Sequence, residues 1–250
     1  MFSHSNNTNR YVTFATRLAA ALALLAMPLQ MTGCIAAHAI GAMGAAEEAQ
    51  KLVETMPRYR GLENKTVAVV VEADYSTMFE YPNLVTYMAS GVTMRIARWV
   101  PGVQVLDPSV VLNWQYNKPN WNALPYGEIA EQLNVDRVVF IEVLEYRLHP
   151  PGNRFLWDGN AVSRVGIIER KGIDPDTFAE TFDVAARFPA IEGVTAENAT
   201  QTQIETGLLV DLVKRNAWLF HLHYEPKHPT QYRAELDTKE MRELKQKTGS

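Results

Sequence analysis

The spacing of hydrophobic and polar positions changes several times along the chain, and each change marks a candidate element. Leu18 to Leu29 is an apolar run. After an alanine- and glycine-rich stretch from Ile35 to Gly44, Glu47, Glu48, Gln50, Lys51 and Glu54 are interspersed with Ala49, Leu52, Val53 and Met56. That spacing predicts a spacer leading into an amphipathic helix that Pro57 ends. Lys65-Thr-Val-Ala-Val-Val-Val-Glu72 is continuous and β-branched, as a central strand covered on both faces would be. From Pro82, the positions Leu84, Val85, Tyr87, Met88, Val92, Ile96 and Trp99 follow a helical period that stops at Pro101-Gly102. A short strand, Val103-Gln-Val-Leu106, leads through Asp107-Pro108 into a helical turn, and Pro125 to Leu133 reads as another helix.

The second half reads as antiparallel. Arg137 to Tyr146 is a long strand, His149-Pro-Pro-Gly-Asn153 a turn, and Trp157 to Glu169 an alternating strand through Ala161, Ser163, Val165 and Ile167. Phe178 to Phe188 alternates again, with Phe178, Phe182, Val184, Ala186 and Phe188 assigned to one face. A last helix is predicted over about 198–220. Beyond Glu225 apolar residues are sparse, which predicts a polar tail, mobile or a frayed helix, over 225–250. The whole pattern predicts one α/β domain over 62–224, three-layer-like, with helices packed on a mixed sheet that is parallel in its first half and built of antiparallel hairpins in its second.

The amino terminus carries a separate signal. Residues 1–17 contain Arg10 and Arg17 and no acid, Leu18 to Leu29 is a twelve-residue apolar segment, and Met31-Thr-Gly-Cys34 follows, with the chain's single cysteine. This arrangement resembles the lipobox of bacterial lipoproteins, with Met31 where that family usually has leucine. The resemblance implies a signal peptide over 1–33, cleavage after Gly33, and a Cys34 that carries a diacylglyceryl group and an amino-terminal acyl chain such as palmitate. Residues 34–61 then form the lipidated cysteine, the spacer and the amphipathic helix. Twelve residues are too few to span a hydrocarbon core of ~30 Å. The competing readings are a buried, unmodified Cys34 and an uncleaved anchor helix through 18–46, which Pro28, Gly33, Gly41 and Gly44 make poor.

Charge narrows the partners. The chain has 24 Lys plus Arg against 28 Asp plus Glu, a net charge of −4. Loss of Arg10 and Arg17 would make the mature domain still more acidic, which disfavours nucleic acid as a partner. With Cys34 lipidated, neither a free thiol nor a disulfide remains.

The order of elements carries a second resemblance. Lys65-Thr-Val-Ala-Val-Val-Val, the helix to Trp99, Val100-Pro-Gly-Val-Gln-Val-Leu-Asp-Pro-Ser109, Glu128-Ile-Ala-Glu-Gln-Leu-Asn-Val-Asp-Arg-Val-Val-Phe-Ile-Glu142 and the hairpin opening at Leu156-Trp-Asp-Gly159 are similar to envelope lipoproteins. The group in question is the α/β domain of the curli secretion lipoprotein, of activator lipoproteins of penicillin-binding proteins, and of the amino-terminal domain of the Tol-system propeller protein. The resemblance covers roughly 62–220. It implies a domain facing the periplasm that binds other envelope proteins, sometimes by self-association. The long amphipathic hairpins of the pore-forming members are not recognisable here. Ile35, in place of the aspartate that favours inner-membrane retention in proteobacterial lipoproteins, implies the outer membrane.

Candidate chemistry is sparse. His221 and His223 are placed on one face of a strand, a weak metal candidate with Glu225 nearby, the plain alternative being polar surface residues. No Gly-x-Ser-x-Gly elbow is present. Glu142 and Glu145, three apart in a strand, are expected on opposite faces and so not as a carboxylate pair. One segment stands out: Asn113 to Tyr126 gathers Trp114, Tyr116, Trp121 and Tyr126 among four asparagines. Rings and amides together suit a protein or sugar surface, with Arg154, Phe155 and Trp157 as a second edge; the alternative is that the rings plug the end of the core. The sequence therefore predicts a non-enzymatic, lipid-anchored envelope adaptor or secretion accessory factor, without metal or cofactor. Its partners are the bilayer and other envelope proteins; the alternative is a peptidoglycan- or carbohydrate-binding module using 113–126.

Overall fold

The β-branched run after Lys65 forms the centre of the sheet. In the computed structural model, which describes residues 48–250, β2 (Thr66–Ala73) is buried on both faces, with Val67, Val69 and Val71 on one side and Ala68 and Val70 on the other. It is flanked in parallel by β3 (Gln104–Val105) and β4 (Arg137–Arg147). β5 (Gly159–Glu169) and β6 (Glu180–Phe188) continue the sheet as an antiparallel meander, giving the order β3-β2-β4-β5-β6. The fold is α/β, with the predicted change from parallel to antiparallel strands at β4.

Each face of the sheet has its own helices. α1 (Tyr75–Glu80) follows β2 directly, its first turn capped by Asp74, whose carboxylate accepts from the Thr77 amide at 2.9 Å. α2 (Leu84–Trp99) and α5 (Gln201–Trp218) bury Met88, Val92 and Ile96, and Ile204, Leu208 and Leu212, against the larger core. α5 opens on a reciprocal cap between Thr200 and Gln203, as a Thr-x-x-Gln pattern favours. On the opposite face, α3 (Pro108–Asn117) and α4 (Tyr126–Gln132) bury Val111, Ile129 and Ala130 over Ala68, Val70, Val138, Phe140 and Ile168. The Asp107-Pro108 start behaves as read: Asp107 accepts from the Ser109 amide at 2.8 Å and proline sits in the first turn.

Several elements differ from the sequence reading. Where an amphipathic helix is predicted before Pro57, β1 (Leu52–Thr55) forms a two-stranded ribbon with β7 (His223–Pro226). Four residues with one strand partner satisfy their backbone by pairing, which helical periodicity over so short a stretch does not foresee. Where a polar tail, mobile or a frayed helix, is predicted, the helical alternative holds but the helix is capped and anchored: α6 (Lys239–Thr248) begins at the Thr238 cap and is closed by Gly249 at φ 72°. Its end is held because the Gly249 carbonyl accepts from Arg95 Nη1 at 2.8 Å. Phe178, assigned to the Phe182 face, packs on the other core with Tyr126 and Phe140, because it precedes the first residue of β6.

The chain divides into two compact units. Of the described residues, one unit has 48–51 with Pro226–Leu236, where Lys227 pairs with Glu48; the other has Leu52–Glu225 with Asp237–Ser250 and holds the sheet. No helix among the described residues is long and apolar enough to cross a membrane. Gly33, Cys34, the signal peptide and the spacer lie outside the described residues.

Candidate interaction surfaces

The aromatic and asparagine segment folds as the end of α3, a single 3-10 turn at Trp121–Ala123, and the start of α4. Trp114, Trp121 and Tyr126 are partly buried against the smaller core. Their rings form a connected series: Trp114 to Trp121 at 5.9 Å, Trp121 to Phe140 at 6.0 Å, and Tyr126 stacked on Phe178 at 4.2 Å. Three of the four rings thus plug the core, and Tyr116, 85% exposed, stands apart. Of the second edge, Trp157 is buried, stacked on His149 at 4.4 Å with its indole N–H donating to the Ala199 carbonyl, while Phe155 is exposed.

Beside these rings, the end of the sheet carries a cleft that the sequence reading missed. β2 and β4 pair in parallel with Glu72 opposite Glu142, which puts two carboxylates side by side, near the carboxyl end of β2 and halfway along β4. Asn122 Nδ2 donates to Glu72 Oε1 at 2.9 Å, and Arg164 lies across from Glu142 while bonding Asp183 at 3.0 Å. These groups, with Tyr126, Phe140, Gly166 and Phe178, line a cavity of about 80 Å³. A space of that volume admits a small polar or cationic group. The only sequence signal for it is a glutamate ending each of two apolar strand runs, seventy residues apart.

The opposite-face expectation for Glu142 and Glu145 is overturned. A bulge at Leu144 interrupts the ladder, so Glu142 pairs with Arg164 and Glu145 with Val162, two positions that share one face of β5. The extra residue resets the alternation, and Leu144 becomes exposed. Glu145 is nonetheless engaged by Arg147 at 2.6 Å and makes no pair with Glu142. Beyond α3 and α4 this half of the sheet face is polar, laced by Arg164 with Asp183 and by Arg187 with Asp158 at 2.9 Å.

The histidines are not surface residues. His221 and His223 are buried; His223 stacks on Trp218 at 4.4 Å, and His221 Nδ1 meets the Leu222 carbonyl at 2.9 Å. His221 precedes β7, and its Nε2 has no hydrogen-bond partner. Burial pushes its pKa down, with the neighbouring His223 and Arg95 adding to the effect. Among the described residues no group of three or more His, Cys, Asp or Glu converges as a metal site would require. The other displaced groups have structural causes. Asp74 is drawn down to about 2 by the Ser76 hydroxyl and the Thr77 amide it caps, and burial beside Glu169 raises Tyr59 to about 12.

A concavity of about 1140 Å³ runs between the outer sides of α2 and α5 and ends at the carboxyl terminus of α6. Tyr87, Met94 and Val210 stand exposed along it at 57%, 69% and 52%, and Arg98 and Lys245 lie at its end. Neither helix buries these side chains, because they fall on the side of α2 and α5 that faces away from the sheet.

No family model matches the chain, and no curated protein matches it. Among solved structures, lipoprotein GNA1162 from Neisseria meningitidis is 14% identical with a TM-score of 0.38, covering 56% of this chain and 90% of that one. The PelC dodecamer from Paraburkholderia phytofirmans is 13% identical with a TM-score of 0.33, covering 73% and 98%. The hypothetical protein CT253 from Chlamydia trachomatis is 17% identical with a TM-score of 0.38, covering 62% and 96%. At these levels function has to be read from the chain's own residues.

Proposed function

We propose that this chain is a lipid-anchored, non-enzymatic envelope protein that acts as an adaptor or assembly factor through protein contacts, held by Cys34 at the outer membrane and facing the periplasm. The observation that carries the reading is the apolar groove along α2 and α5, where Tyr87, Met94 and Val210 are exposed side by side on a domain that has ample core elsewhere. A contiguous apolar surface of this kind marks an interaction site. Acyl chains at Cys34 would contribute roughly 0.8 kcal/mol per buried methylene, and tethering raises the local concentration of the domain for partners on the same membrane. The resemblance of the order of elements to curli-type and related lipoproteins supports the same role.

The glycan-binding reading is less favoured, because Trp114 and Trp121 are occupied in the core and, of the four rings in 113–126, Tyr116 alone is open. Two measurements test the proposal. Labelling with a fatty-acid analogue should mark the wild-type chain and not Cys34→Ser; equal labelling refutes the anchor. A photo-crosslinking residue at Met94 should trap a discrete protein adduct in native membranes, and a chain recovered without one, with Tyr116 substitution abolishing glycan retention instead, would move the assignment to a sugar-binding module.

A further inference from the structure

β6 ends the sheet. It pairs only with β5, and along its other side no backbone group of residues 180–188 has a hydrogen-bond partner among the described residues. Nine residues of open edge are a template for another strand. The side chains on this edge do not repel a copy of themselves. Thr181, Asp183, Ala185 and Arg187 point to the polar face, and Phe182, Val184 and Ala186 to the core face.

We propose that the free edge of β6 pairs with β6 of a second copy, antiparallel about a two-fold axis at Ala185, to make one continuous ten-stranded sheet. A two-fold axis perpendicular to the sheet keeps each residue on its own face, so a residue must sit opposite itself and only a few registers exist. Centring on Asp183 or Arg187 sets like charges directly opposite. Centring on Ala185 instead sets Asp183 opposite the partner's Arg187 twice, and Phe182 opposite the partner's Phe188 twice. Opposite-charge and aromatic pairs at facing positions both favour a ladder. The charges already present extend it: Arg164 holds Asp183, and Asp158 holds Arg187. Across the seam each row would run Arg164, Asp183, the partner's Arg187, the partner's Asp158, alternating in sign throughout. The strand stops at Phe188, so Pro189, which has no amide to donate, falls outside the paired segment.

This names one partner within the adaptor reading and rests on that reading only for the setting at a membrane, where a shared surface favours pairing. The test uses the full chain in detergent. Ala185→Cys should form a disulfide-linked dimer on mild oxidation, because self-opposed residues in an antiparallel pair lie about 4.5–5.5 Å apart between Cα atoms, within disulfide reach. Thr181→Cys, on the same face but off the axis, should give only the background of the chain carrying Cys34 alone. By sedimentation the wild type should self-associate, and Ala185→Glu should raise the dissociation constant at least tenfold, with a melting temperature equal to that of the wild type at a dilution where both are monomeric. In the single chain residue 185 is exposed, opposite Val162 on β5 and at the rim of a hollow that Thr55, Arg58 and Arg215 also line, so a glutamate there meets solvent and cations and the variant should fold normally. A monomeric wild type, equal crosslinking at 181 and 185, or a dimer indifferent to Ala185→Glu overturns the pairing. None of these results bears on fatty-acid labelling at Cys34, so the two proposals fail separately.

Discussion

Gly166→Ala probes the join between the cleft and the smaller core. Gly166 lies in the middle of β5, directly beneath Phe178. A Cβ built at this position would stand 2.5 Å from both Phe178 Cδ1 and Cε1, where carbon atoms in contact prefer about 3.5–4.0 Å. The ring must therefore retreat by about 1 Å. It is not free to do so, being stacked on Tyr126 at 4.2 Å and packed against Phe140 at 5.9 Å. Overpacking of this kind costs about 1–3 kcal/mol. For a domain of this size each kcal/mol moves the midpoint by roughly 2–4 °C, so thermal unfolding should shift down by roughly 2–12 °C. The control is Phe178→Ala, alone and combined with Gly166→Ala. If the clash is the cause, the double variant should be more stable than the sum of the single losses, by about 1 kcal/mol or more. Additive losses, or an unchanged midpoint for Gly166→Ala, would refute the argument.

Ser163 Oγ donates to Asn216 Oδ1 at 3.0 Å, with both residues fully buried between β5 and α5; Ser163→Ala should cost about 1–3 kcal/mol by urea denaturation, the desolvation of an orphaned amide oxygen. His221 has its folded pKa pushed below the 6.5 of the unfolded chain, so below that value the unfolded state takes up more protons. Its contribution is present above pH 6.5 and is lost as pH falls toward the lower folded value, so the urea midpoint should drop between pH 7.5 and 5.5 and drop less in His221→Phe. Asp74, at about 2, loses its contribution as pH falls from the ordinary carboxylate value of 3.8 through its own and does not enter that window. Gly249→Ala strains a left-handed residue whose added Cβ would stand 2.3 Å from the Trp99 indole nitrogen; limited proteolysis should then cut α6 faster while the remaining domain resists, and equal rates would count against the docking described.

Much of the architecture was legible in the sequence. A five-residue β-branched core in β2, the 3.6 period from Leu84 to Ile96, the Asp107-Pro108 start and the alternation through Ala161 to Ile167 are local patterns, and local patterns report which faces of an element are buried. So was the expectation of a mixed sheet, since helices separate the first strands and short turns join the last ones. What the sequence left undecided depends on partners distant along the chain. Glu72 and Glu142 become neighbours only because β4 inserts beside β2, and Glu142 and Glu145 share a face only because Leu144 bulges from a ladder whose register β5 sets. Whether residues 52–55 are helix or strand depends on β7, some 170 positions away, and whether 239–248 hold as a helix depends on Arg95 and Thr238 receiving its ends. Periodicity describes how one segment meets an interior; which segments meet, and in what register, is decided by backbone pairing and packing that no single segment contains.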